Sequence, residues 1–129
     1  MAKMHVLVCV TGQRTCEKLI RSGAELTGGA PGSLSVVHVA RPGQHFLGSE
    51  DEANALEYLY QVSRDYGADM SLTRSDDVCG AIVEAAKKRS SAVVILGAPR
   101  GSVKGLQLPS LLRERLSGVD VREIITSGD

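Results

Sequence analysis

At 129 residues the chain has room for one domain and one core, spanning 1–129. Fifteen basic residues balance fifteen acidic ones, so no net field selects nucleic acid or an anionic membrane as a partner. The hydrophobic fraction is 43% with one Phe, three Tyr and no Trp, so the core must be aliphatic.

The first strand is predicted at His5-Val6-Leu7-Val8-Cys9-Val10, an unbroken apolar run of the kind covered on both faces in a parallel sheet. Thr15 caps a helix whose apolar residues fall at Leu19, Ile20, Gly23, Ala24 and Leu26, ended by Gly28, Gly29, Pro31 and Gly32. Strand two is Leu34 to Val39, and Gln44 to Gly48 reads as loop. Ser49 and Glu52 form a capping box opening a long helix with an inner face of Ala53, Leu56, Leu59, Tyr60 and Ser63. Asp69 to Thr73 alternates in the manner of an edge strand. Asp76 or Asp77 caps a third helix carrying Val78, Ile82, Val83 and Ala86, with Lys87-Lys88-Arg89 closing it in line with the helix dipole. Strand four is Ala92 to Leu96. Pro109 opens a fourth helix over Ser110 to Leu116, and Val119 to Ile125 is the last strand.

Strict alternation of strand and helix implies an α/β fold: a single open five-stranded parallel sheet, Rossmann-like, with helices on both faces. In such sheets ligands sit beyond the carboxyl ends of the strands where the winding reverses. That selects Val10 to Gln13 (with Thr11 and Gly12), Val39 to Pro42, and Gly97 to Ser110. Gly97, Gly101 and Gly105 allow close backbone approach, Ser102 and Ser110 offer hydroxyl donors, and Arg100 and Lys104 add charge. The alternative is a connection that needs glycine only to turn. No Walker pattern, Gly-x-Gly-x-x-Gly or Gly-x-Ser-x-Gly is present, and no nucleophile has an evident base.

The chain resembles the universal stress protein family along nearly its whole length, and most of all the corresponding segment of KdpD-type potassium-sensing histidine kinases. The resemblance is carried by Val8-Cys9-Val10-Thr11-Gly12, Cys16 to Arg21, Ser35 to Val39, Asp76-Asp77-Val78, Val94-Ile95-Leu96-Gly97 and Ser117 to Val121. It implies a five-stranded parallel sheet, pairing into dimers, and binding of ATP, AMP or another adenine nucleotide. In the family's Gly-x-x-Gly, nine residues, Gly-Ser/Thr motif, Gly97 stands at the first glycine, and Pro109-Ser110 is read as the closing pair, one residue early, with Ser110 as its hydroxyl. Arg100 stands at the second glycine with Gly101 one place late, and Pro109 replaces the penultimate glycine.

Rival sites are weaker. Asp76-Asp77 reads as a cap and His38 as a packed strand residue. His5 begins a strand, and His45 is a loop residue with no carboxylate nearby in sequence. Cys16, at a helix start, invites a lowered pKa, yet has no histidine partner. Cys9, Cys16 and Cys79 lack Cys-x-x-Cys spacing, so no metal site is expected and reduced thiols in a cytoplasm are. The N-terminal apolar run is too short for a signal peptide or a membrane span.

The expectation is a non-enzymatic signalling or stress-response module tied to potassium or osmotic sensing. Thr11 and Val39 meet base and ribose, and Gly97, Arg100, Gly101 and Ser110 hold phosphate. A homodimer through the C-terminal strand, and a signalling partner, are implied. The alternative is an interaction module that has lost nucleotide binding, for which Arg100 and Pro109 are the evidence.

Overall fold

The computed structural model describes residues 4–11, 13–30, 32–98 and 107–125. Strands β1 (Val6–Cys9), β2 (Leu34–Ala40), β3 (Asp69–Arg74), β4 (Val93–Ala98) and β5 (Asp120–Ile125) alternate with helices α1 (Gln13–Thr27), α2 (Glu52–Asp65), α3 (Val78–Lys88) and α4 (Gln107–Arg115). One parallel sheet results, in the order β3-β2-β1-β4-β5. The predicted α/β architecture is therefore present, with strand and helix limits shifted by a few residues.

The unbroken apolar runs explain the two cores. Successive strand side chains point to opposite faces. Val6, Val8, Val10, Val36 and Ile95 pack under α1 and α2 with Leu19, Ile20 and Leu59. Leu7, Cys9, Val37, Val94 and Leu96 pack under α3 and α4 with Ile82 and Leu112. Fully burying each of these large aliphatic side chains contributes about 1.5–3 kcal/mol, so no aromatic-rich core is required. Strand β3 lies at the sheet edge, as expected, but its exposure does not alternate: Met70 and Ser71 are half-buried, and Asp69, Leu72, Thr73 and Arg74 are exposed.

Several local expectations are corrected. Helix α1 begins at Gln13, so Thr15 lies inside it rather than at its cap. The N-cap of α2 is Asp51, whose carboxylate accepts the Asn54 amide; the Ser49 hydroxyl instead accepts the amide of Asp51 itself. The inner face of α2 is Ala55, Leu59, Val62 and Ser63, with Ala53 and Tyr60 exposed. Asp77, not Asp76, caps α3 by accepting the Gly80 amide at 2.9 Å. Helix α4 starts two residues before Pro109, which becomes its third residue. Proline fits there because amides of the first turn have no intrahelical acceptor.

Candidate functional site

The sheet order places β1 between β2 and β4, so the winding reverses beside β1, as the ligand-cleft argument requires. Cys9 pairs with Leu96, which makes Val10 and Gly97 the next residues along adjacent strands. Val10 is buried, Thr11 exposed, and Val39 and Gly97 half-buried. Ser110 is exposed as the fourth residue of α4, so its hydroxyl is an accessible donor. Gly12, Arg100, Gly101 and Ser102 lie outside the described residues.

An open cavity of about 490 Å³ sits at the ends of β1 and β2, bordered by Thr11, His38, Val39, Ala40, His45 and Val78. Its size falls in the usual range for small-molecule sites, and its walls combine aliphatic side chains with loop backbone. The Val10 amide donates to the Val37 carbonyl at 3.0 Å. Alternate residues in a parallel ladder address the same neighbour, so Val39 turns its backbone groups toward the space past Val10. Thr11 and Val39, chosen from sequence, thus border one cavity.

Sequence reasoning missed what builds its outer wall. Residues 41–48 fold back, ending in a 3-10 turn at Phe46–Gly48 in place of the expected irregular loop. His38, 4% exposed, holds this segment to the end of β1. Its Nε2 accepts the Leu47 amide at 2.8 Å, so the proton must lie on Nδ1, which donates to the Val10 carbonyl at 2.8 Å. Burial lowers the pKa of His38. The bond to Val10 opposes that fall, and the Arg74 charge adds to it. Leu47 adopts φ 58°, an uncommon conformation for a branched residue, to aim its amide at the imidazole.

Arg74, at the end of β3, donates to the carbonyls of Gln44 (2.8 Å) and Arg41 (3.3 Å) and lies 4.2 Å over the Phe46 ring. Glu52 accepts the Phe46 amide at 2.8 Å, with Arg74 and His45 each 3.6 Å away. That backbone bond lowers its pKa; burial opposes the fall, and His45 and Arg74 add to it. His45, expected to lack a carboxylate neighbour, therefore has one, because the start of α2 turns back over the loop. A Ser-x-x-Glu reading assigned Glu52 to helix capping and so concealed this role.

At the opposite end of the sheet, His5 bridges Ser91 Oγ (2.7 Å) and Ser35 Oγ (3.0 Å), and Ser35 donates to Asp69 at 2.6 Å. Burial lowers the His5 pKa, Arg89 adds to this and Asp69 opposes it. A groove of about 460 Å³ runs along β3 beside α3, floored by Val37, Ser71 and Thr73. Cys9 is pushed up to about 12 by burial. Cys16 is pushed up to about 11 by burial and Glu17 despite backbone bonds that lower it, so the lowered value invited by its helix-start position is overturned. Among the described residues no cluster of His, Cys, Asp or Glu can hold a metal ion, and no helix is long and apolar enough to cross a membrane.

No protein-family model matches the chain. It is 29% identical over 114 residues to a sensor protein KdpD from Synechocystis sp.; the match covers 84% of this chain and 30% of that relative's length. Among solved structures, a universal stress protein in complex with cAMP matches with a TM-score of 0.64 at 18% identity, covering 98% of this chain and 100% of the other. The universal stress protein from Archaeoglobus fulgidus in complex with dAMP matches with a TM-score of 0.55 at 15% identity, over 96% and 99%. A class III photolyase from Agrobacterium tumefaciens gives 0.70 at 17% identity, over 97% of this chain but 26% of the enzyme. At these identities the likeness is one of fold, and the fold is that of the universal stress proteins.

Proposed function

We propose that the chain is a non-enzymatic signalling module of the universal-stress-protein type that binds an adenine nucleotide at the ends of β1, β2 and β4. The observation that carries this reading is the cavity beside the winding reversal, where Thr11, Val39 and Val78 present a wall suited to a planar base. Val39 backbone groups read the base edge. Gly97 and the Ser110 hydroxyl, with Arg100, Gly101 and Ser102, take the phosphate. Structures of the same fold holding cAMP and dAMP support that ligand class. The similarity to part of a KdpD sensor supports a role in potassium or osmotic signalling in a cytoplasm, with pairing through the β5 edge and a separate signalling partner.

The test is a thermal-shift panel of ATP, ADP, AMP, cAMP and cyclic dinucleotides, run alongside sizing chromatography. A ligand at 100 times its Kd stabilises by about 2.7 kcal/mol, which raises the midpoint by several degrees. If none moves the midpoint while the protein runs as a dimer, it is an interaction module that has lost nucleotide binding. Steady phosphate release from ATP would instead make it an enzyme.

A further inference from the structure

We propose that His38 is a positioning residue for the cleft: its neutral imidazole latches the 41–48 wall to β1, and a proton at Nε2 releases that wall and weakens the ligand. The latch itself stands on geometry alone; its effect on a ligand rests on the nucleotide reading above.

The argument follows from bond directions. Both ring nitrogens of His38 are engaged, and by partners of fixed polarity. The Val10 carbonyl can only accept and the Leu47 amide can only donate. A second proton therefore places N–H against N–H at Nε2, and neither backbone group can rotate to adapt. The Leu47 amide would also lose its acceptor while buried, leaving the left-handed turn at that residue without the bond that holds it.

The charged surroundings disfavour the cation. Arg74 approaches from β3 and lies over Phe46, which itself packs edge-on to the imidazole at 5.7 Å. Glu52 of α2 is already engaged by the Phe46 amide and lies beside Arg74 and His45. From α3 the cavity is met by Val78, and β1 contributes Val10 backbone and Thr11. From α1, Cys16 shares the same apolar cluster as Val10 and Leu47, its thiol protonated. With the Leu47 amide freed, the wall is held by the Arg74 and Glu52 contacts and by the Leu47 side chain in the apolar cluster, and His45 and Gly48 move from the cavity they border.

The decisive experiment follows the Leu47 amide by hydrogen exchange in the ligand-free chain from about pH 7.5 to 5.5, corrected for intrinsic rate, with AMP affinity measured over the same range. Leu47 protection should fall about tenfold more than that of Val8 in the sheet centre, and AMP affinity should fall by a similar factor. His38→Gln can place an amide oxygen opposite Leu47 but cannot titrate, so it should keep only the smaller fall that protonation of the AMP phosphate, with a second pKa of about 6, causes by itself. His45→Gln should keep the wild-type fall, which assigns the effect to His38 rather than to the other imidazole bordering the cavity. Unchanged Leu47 protection down to about pH 5 overturns the latch. Loosening of Leu47 with constant AMP affinity overturns its role in the site. No binding of AMP or of any other nucleotide of the panel at any pH refutes the nucleotide reading, while the exchange result still decides the latch.

Discussion

Helix α1 sits so close to the sheet that one hydrogen atom matters at Gly23. A Cβ built there would lie 2.7 Å from Val8 Cγ2, 2.8 Å from Leu34 Cδ1 and 3.5 Å from Val6 Cγ1. Relaxed carbon contacts need roughly 3.5–4.0 Å, so two of the three must give by nearly an ångström. Val8 is a stiff, β-branched side chain fixed in the sheet centre, and both it and Leu34 are buried. The helix must therefore lift or tilt. Gly23→Ala gains about 1 kcal/mol of helix propensity, while overpacking a filled core costs about 1–3 kcal/mol. The expected net is a loss of about 1 kcal/mol, and Gly23→Val should lose more than twice that. Urea unfolding followed by far-UV circular dichroism reads this directly. With a slope of about 2 kcal/mol per molar, the alanine midpoint should drop by about 0.5 M with the slope unchanged. An alanine variant as stable as wild type, or more so, would show that α1 does not seat on Val8 and Leu34 as described.

Ser63 Oγ is buried without a hydrogen-bond partner among the described residues, so Ser63→Ala should raise stability by about 1 kcal/mol in the same urea assay; a loss would reveal a partner. Both His5 and His38 have folded pKa values below the usual 6.5, so the unfolded chain binds protons more readily. Their contribution is fully present above 6.5 and is lost as pH falls from there through the lowered folded values, so the urea midpoint should drop between about pH 7.5 and 5.5. A flat profile in that window contradicts the burial of both rings. Glu52, with a lowered carboxylate pKa, acts only at lower pH and does not confound it. With thiols pushed to about 12 and about 11, Cys9 and Cys16 should resist iodoacetamide at about pH 8 until urea is added, as peptide mass mapping would show.

The frame of the molecule was legible because its signals are periodic. Unbroken runs such as Val93 to Leu96 announced buried parallel strands, and the alternation in β3 announced an edge; both stand in the sheet as read. The ends of β1 and β2 were legible for the same reason, since the pairing of these two strands sets Thr11 and Val39 beside one cavity. Helix starts were harder, because Asp51 and Ser49 carry the same capping chemistry and only the chain path decides between them. The wall of the cleft could not be read at all. Arg74, Glu52, Phe46 and His38 are scattered over four elements, and their meeting depends on a left-handed Leu47, a conformation no local rule predicts. The positions assigned to phosphate at Arg100, Gly101 and Ser102 fall outside the described residues.

Burial depresses two histidines at opposite ends of one sheet, yet the consequences differ, and the difference lies in their partners. Around His5, Ser35 donates to Asp69, so its oxygen accepts from Nε2–H, and Ser91 donates to Nδ1. A proton added at Nδ1 needs only the Ser91 hydroxyl to rotate and accept, and Asp69 lies close enough to offset the new charge. Around His38 both partners are backbone groups that cannot exchange roles, and the cation Arg74 opposes a second proton. Acid is therefore absorbed at the amino end of the sheet and concentrated at the carboxyl end. The same imidazole chemistry is a tolerant brace where hydroxyls surround it and an all-or-none clamp where peptide groups do. The clamp stands at the cavity.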